Sequence, residues 1–413
     1  MKLVIAEKPS VAMALASVLG ARTRKDGYVE GNGYIVSWCV GHLVGLCDAS
    51  EYDEKYKKWR YDDLPIVPEC WKHKVLEGTK KQFGILKKLM RDSKVDEVIC
   101  ATDAGREGEL IFRLVYEQAG CKKPMKRLWI SSMEEQAIKD GFASLKDGSC
   151  YDSLYQSALC RAKADWLVGI NASRLFSVLY NQNLKVGRVQ TPTLAMIVDR
   201  NQKIKEFTKE KYYMAHIKFD DMDAVTENFQ KKEDADKVAA ECQERMCEVE
   251  KDDVKEKTVR PPKLYDLTTL QREANRMFGY TAQQTLDAVQ EMYEQKLVTY
   301  PRTDSQYLTD EMGESTETLI QMLFGKMPYA EGLEYQPDVS KVLNSKKVSD
   351  HHAIIPTMEV AKADIGELKE RSRKILYLIS ARVLTATADP YIYESHKCQI
   401  TCNYHTFDLH KRI

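Results

Sequence analysis

Two short apolar runs, each leading directly into a helix start, restrict this chain more than any other feature. Lys2 to Ala6 reads as a buried strand. Pro9 and Ser10 then open a helix that runs through Leu19 and stops at Gly20, with proline in the first turn and glycine just past the end. Val95 to Ala101 repeats the strand, an acidic turn follows, and a helix runs from about Glu107 to Gln118. Arg127 to Ser131 reads as a third strand. Strands alternating with helices predict an α/β sheet over residues 1 to about 150.

From Tyr151 to about Lys205 the pattern is helical, broken by the turn Lys185-Val186-Gly187-Arg188-Val189-Gln190. Residues 211 to 260 combine a strand-like stretch, Tyr212 to Phe219, with a charged helix around Lys231 to Met246. Pro261-Pro262 marks a junction, residues 266 to about 388 look helical, and strand-like alternation returns from Tyr391 to Leu409. A chain of 413 residues allows two to four domains. Lys plus Arg and Asp plus Glu both number 62, so a nucleic-acid site would have to be a local basic surface. The first apolar run is too short for a signal peptide, and no stretch is long enough to span a membrane. Eleven scattered cysteines, among them Cys39, Cys100 and Cys160 in apolar segments, fit buried reduced thiols of a cytoplasmic protein. Cys242 with Cys247 and Cys398 with Cys402 are the close pairs. Neither has a matching second pair, which argues against zinc.

The turn Asp103-Ala104-Gly105-Arg106-Glu107-Gly108-Glu109 follows a buried strand and opens a helix. Carboxylates there can hold Mg²⁺ through oxygen. Glu7 ends the first strand in the same way, so in a parallel sheet Glu7, Asp103 and Glu107 would share one crevice. Glu107 and Glu109 would equally suit a helix N-terminus without any metal.

Leu297-Val298-Thr299-Tyr300-Pro301-Arg302-Thr303-Asp304-Ser305 is the most specific segment. A tyrosine oxygen is a nucleophile that conserves phosphodiester bond energy as a phosphoester. Pro301 fixes the backbone after it, and Arg302 can neutralise charge on a pentacovalent phosphate. In Asp350-His351-His352-Ala353-Ile354-Ile355-Pro356-Thr357, His351 can donate a hydrogen bond or proton near a phosphodiester, the alternative being a structural histidine pair. Arg161 and Asp165 lie four residues apart on one helix face, with Arg174 further along. Gly187-Arg188-Val189-Gln190-Thr191 sets a cation and polar groups at a helix start, which suits a single-strand backbone clamp.

Several of these segments resemble bacterial topoisomerase III, of the type IA topoisomerase family. They are the opening Glu7-Lys8-Pro9-Ser10, Thr299 to Ser305, Asp350 to Thr357, Arg161 to Asn171 and Gly187 to Leu194. Pro261-Pro262 with the Leu270 to Ala274 helix, and the Gly41-His42-Leu43 loop, belong to the same resemblance, which runs from Met1 to at least Thr357. It implies a Toprim α/β domain (1–150), a helical DNA-binding domain (151–210), a β-arch domain (211–265 and 389–413) and a winged-helix-like domain (266–388). It also implies ATP-independent cleavage of one DNA strand through a 5′-phosphotyrosyl link at Tyr300, followed by strand passage and rejoining. Glu7, Lys8, Arg302 and His351 would assist, with Lys8 beside the scissile phosphate. Mg²⁺ would sit at Glu7, Asp103 and Glu107. His42, Arg161, Asp165, Arg174, Arg302 and the loop Lys185, Val186, Gly187, Arg188, Val189, Gln190 and Thr191 would contact DNA. The implied partners are single-stranded and negatively supercoiled DNA, bound by a monomer. Gly105 departs from the Toprim pattern Asp-x-Asp-x-Glu and removes one ligand. A Toprim nuclease, or a single-strand-binding fragment without turnover, are the alternatives, but the nuclease leaves Tyr300 without a role. The resemblance further implies that the ring is closed by chain beyond Ile413. Residues 1–413 are then expected to expose apolar surface on the helical domain and to bind DNA without relaxing plasmid.

Overall fold

The computed structural model describes every residue except 131, 132, 220, 221, 333–335, 349, 350 and 413. Ser131, Asp350 and Ile413, which figure in the expectations above, lie outside the described residues.

β1 (Lys2–Ala6) and α1 (Pro9–Leu19) fall where the sequence puts them, and Gly20, at φ 76°, bonds back to the last turn of α1. Next come β2 (Thr23–Lys25), β3 (Tyr28–Gly31) and β4 (Tyr34–Trp38), an antiparallel meander that the α/β pattern did not reveal. β5 (Val44–Leu46) and β6 (His73–Val75) pair as a separate ribbon. α2 (Lys80–Arg91), β7 (Glu97–Ala101), α3 (Arg106–Gln118), β8 (Met125–Arg127), α4 (Glu135–Ala143) and β9 (Lys146–Asp147) follow. The third expected strand is therefore Met125–Arg127. Pairing with β7 stops at Arg127, whose side chain turns into the core to meet Glu109. The seven strands run in the order β2-β3-β4-β1-β7-β8-β9, with β4, β1, β7 and β8 parallel. Leu3, Ile5, Val98, Cys100, Phe112 and Val115 fill the core around them. Two long helices, α5 (Asp152–Tyr180) and α6 (Gln190–Lys205), come next. The outer face of α5 exposes Val168, Phe176, Leu179 and Tyr180.

β10 (His216–Phe219), β11 (Met222–Val225), α7 (Lys232–Cys242) and β12 (Cys247–Val259) precede four further helices: α8 (Leu267–Phe278), α9 (Ala282–Glu294), α10 (Gly313–Lys326) and α11 (Glu370–Ala386). Thr281 and Gln284 form a capping box that opens α9. β13 (Tyr391–Cys402) and β14 (His405–Arg412) then return to β12, in a sheet ordered β10-β11-β14-β13-β12.

These elements form two compact units. The first is Met1–Ala195 with Lys263–Glu334 and Val339–Ala386, and the second is Met196–Pro262 with Tyr335–Asp338 and Thr387–Ile413. The second has its own core of Val238, Ile400, Cys402, Phe407 and Leu409, and β10 and β12 are the edges of its sheet. No described helix is long and apolar enough to cross a membrane.

Candidate active site

The parallel register sets Ala6 of β1 opposite Ala101 of β7, so the residues that follow each strand emerge side by side. The Asp103 N–H donates to Glu7 Oε2 at 3.3 Å. Burial, reinforced by the Asp103 carboxylate, pushes Glu7 up to about 7. The turn is held from both ends. Gly108 packs so closely on the Asp103 carbonyl that a Cβ would stand 2.1 Å from its oxygen. Arg127, 1% exposed, donates to the carbonyls of Thr102 (2.7 Å) and Asp103 (2.6 Å) and is itself paired with buried Glu109 at 3.1 Å. A buried guanidinium held by two carbonyls and a buried carboxylate braces the turn.

Tyr300 reaches the same turn. Its backbone is set by Thr299, whose N–H donates to the Ile355 carbonyl at 3.0 Å and whose hydroxyl donates to the Ala353 carbonyl at 3.2 Å. The Tyr300 hydroxyl donates to Asp103 Oδ2 at 2.9 Å. Burial, then the Asp103 carboxylate, holds this phenol far above its ordinary range, while the Arg302 guanidinium pulls the other way. Tyr293 packs edge-on to Tyr300 (centroids 5.4 Å apart, 78°), and His351 lies over it at 4.3 Å. Burial, with His352 adding to it, pushes His351 down to about 4, so its ring is neutral at physiological pH. His351 Nδ1 has no hydrogen-bond partner among the described residues. His352 turns its Nδ1 to the Ala353 carbonyl at 2.8 Å. Lys8 stands 3.8 Å from Glu294, and Arg302 donates to Gln290 at 3.3 Å.

Charges at the rim are cross-paired. Glu107 faces His42 at 3.5 Å and Arg161 at 3.4 Å, and the hydrogen bond from His42 holds its carboxyl below the usual range. Asp165 grips Arg188 with two bonds, 2.6 and 3.1 Å, and stands 4.0 Å from Arg161. Three expectations change accordingly. Glu107 lines the same cleft as Glu7 and Asp103 but spends its carboxylate on His42 and Arg161, and among the described residues no three metal-type ligands are gathered. Asp165 orients Arg188 more closely than Arg161. Arg174 is buried, donating to the Tyr56 carbonyl at 2.8 Å and stacking on Trp59, because the 54–66 loop folds over that stretch of α5. In the loop, the Val186 N–H donates to Ser173 and the Gly187 N–H to Thr191, while Lys185, Arg188, Val189 and Gln190 stay exposed. Tyr293, Glu294 and Arg127 were not singled out for this site by the sequence, each being an ordinary residue within a helix or strand, and Glu109 was marked there only as an acid that suits a helix N-terminus.

Glu7 and Asp103 suit a hard cation. Both offer oxygen, a cation would relieve their mutual repulsion, and Mg²⁺ commonly takes one or two carboxylates with water and phosphate completing its shell. With Lys8, His42, Arg161, Arg302 and His351 they line one cleft of about 400 Å³.

Residues 149–413 match the family model for DNA topoisomerase, and residues 2–133 match the Toprim domain. The chain belongs to the DNA topoisomerase family. DNA topoisomerase 3 of Shouchella clausii is 44% identical over 418 residues, covering 97% of this chain and 57% of the relative. DNA topoisomerase 3 of Bacillus cereus is 43% identical over 425 residues (98% and 57%), and that of Staphylococcus haemolyticus 40% over 420 residues (100% and 59%). This topoisomerase-family chain thus spans under three-fifths of the length of these relatives. The full-length topoisomerase I structure from Thermotoga maritima has the same fold at a TM-score of 0.73 and 24% identity, covering 100% of this chain and 65% of that one.

Proposed function

We propose that this chain carries the cleavage and rejoining chemistry of a type IA DNA topoisomerase, acting on single-stranded regions of negatively supercoiled DNA in the bacterial cytoplasm. The hydrogen bond between the Tyr300 hydroxyl and Asp103 carries the reading, because it sets a buried phenol against an acceptor at the mouth of a Toprim turn. The phenol oxygen attacks phosphorus, its proton passes toward the Asp103 carboxylate, and the 3′ oxygen leaves. Glu7, whose proton affinity lies near neutrality, protonates that leaving oxygen and takes the proton back on rejoining. Arg302 and Lys8 offset the phosphate charge, and His351 offers a neutral imidazole beside the ring. Mg²⁺ would take Glu7 in its ionised form instead, together with Asp103, and when bound there would supply charge stabilisation to the phosphates. The exposed loop Lys185–Thr191 with Arg161 and Arg188 tracks the strand backbone. The division into Toprim, helical, β-arch and winged-helix-like parts belongs to the same reading.

The test is trapping of a covalent adduct on a single-stranded oligonucleotide by rapid denaturation. The wild type is expected to give one and Tyr300→Phe none, with binding nearly unchanged. An adduct surviving in Tyr300→Phe would overturn the assignment.

A further inference from the structure

The second unit gathers three of the chain's thiols. Cys247 opens β12, Cys402 closes β13, and the register pairs them directly across the ladder. The Cys247 thiol donates to the Arg245 carbonyl at 3.8 Å. Cys242, the last residue of α7, donates through sulfur to the Cys402 carbonyl at 3.3 Å, and the Cys402 thiol donates to the Cys242 carbonyl at 3.7 Å. Directly opposed residues of antiparallel strands have Cα atoms about 4.5–5.5 Å apart. A disulfide needs about 4.4–6.8 Å. Spacing along the sequence hid this cluster, because it takes both members of one close pair and only one of the other: Cys398 turns instead to Asp252 at 3.3 Å.

We propose that Cys247 and Cys402 are a thiol–disulfide site, closed by a small-molecule disulfide such as oxidised glutathione. Cys247 is partly exposed and Cys402 only 1% exposed, so exchange begins at Cys247. Its thiolate attacks one glutathione sulfur, forming a mixed disulfide and expelling one glutathione thiolate. The Cys402 thiolate then attacks the Cys247 sulfur and expels the second. Two protein thiols are oxidised, one glutathione disulfide is reduced to two thiols, and the protons lost by the protein are taken up by the departing thiolates. Burial raises both protein thiols above their ordinary range, so the exchange is slow at neutral pH and quickens about tenfold per pH unit as the thiolate fraction grows. The bond joins the first residue of β12 to the last residue of β13, the two strands between which the Tyr300 segment is inserted.

The experiment incubates the folded 413-residue chain with oxidised glutathione at pH 8.5, blocks remaining thiols and maps disulfide-linked peptides. One intramolecular Cys247–Cys402 link is expected, reversed by dithiothreitol and formed at an unchanged rate in Cys398→Ser. Cys402→Ser should stop at a glutathione adduct on Cys247, and Cys247→Ser, altered at a partly exposed position, should form no link to Cys402. A Cys242–Cys402 link in the wild type, or glutathione adducts on exposed Cys70 and Cys150 while Cys247 and Cys402 remain thiols, would overturn the proposal.

Discussion

Glu7 keeps its proton to about neutrality because burial and the Asp103 carboxylate both disfavour its anion. Between pH 4.5 and about 7 the folded chain therefore holds a proton that the unfolded chain has released. Glu7 thus lowers stability as pH rises through that window. Glu7→Gln removes this term. It should match the wild type near pH 4.5 and exceed it by roughly 2–3 kcal/mol above pH 7.5, read from denaturant melts across a pH series. Parallel pH profiles for the two proteins would show that Glu7 ionises normally. His351 works in the opposite sense: its folded form refuses a proton that the unfolded form accepts, so its contribution is lost as pH falls from 6.5 toward 4. At this scale, what could be read from sequence was whatever lies contiguous along the chain. Glu7 with Lys8, and Tyr300 with Arg302, stand in short runs whose spacing carries chemistry. Arg174 looks the same as Arg161 in sequence, both being cations on one helix, and only the fold, which brings the Tyr56 carbonyl and the Trp59 ring to Arg174, tells them apart.

Two elements repay perturbation. In the turn that opens α3, Gly105 has φ 169° and ψ 174°, extended backbone that any residue adopts. Gly105→Asp should therefore fold, and a carboxylate two residues from Asp103 is expected to tighten Mn²⁺ binding several-fold, measured by titration calorimetry. Unchanged affinity would mean the new side chain points away from Glu7. Gly108→Ala, by contrast, puts a methyl into the Asp103 carbonyl and should lower the melting temperature by several degrees. At the rim, Arg161→Ala and Arg188→Ala should each make the slope of log affinity against log salt for a single-stranded oligonucleotide shallower by about 0.7. Arg174→Ala should lower the melting temperature with that slope unchanged, and fluorescence anisotropy at several salt concentrations separates the two behaviours. β1, α1, β7 and α3 were legible because their apolar runs and end residues agree. β12 was not. Nearly all of its side chains are exposed on both faces, so it has no period-two apolar pattern to find.

Across the whole molecule, basic and acidic residues are equal in number, so the DNA binding proposed above rests on local cations such as Lys185, Arg161 and Arg188. The second unit is assembled from chain segments far apart in sequence, with Val259 of β12 pairing with Tyr391 of β13 and the whole Tyr300 segment lying between them. That connectivity has a consequence during synthesis. At about 5–20 residues per second, β13 leaves the ribosome on the order of ten seconds after β12. A strand with a partner at hand pairs in about 1–10 μs. For that interval β12 is a strand without its mate, open to any other edge. Glu248, Lys251, Asp253, Lys255 and Lys257 put charge along it, which deters such pairing. Replacing Lys255 and Lys257 with valine should leave the melting temperature of the finished protein nearly unchanged and lower the soluble yield of newly made chains, compared side by side in cell-free translation. Those charges guard β12 on one side for good, as an edge of the finished sheet, and on the other until β13 arrives.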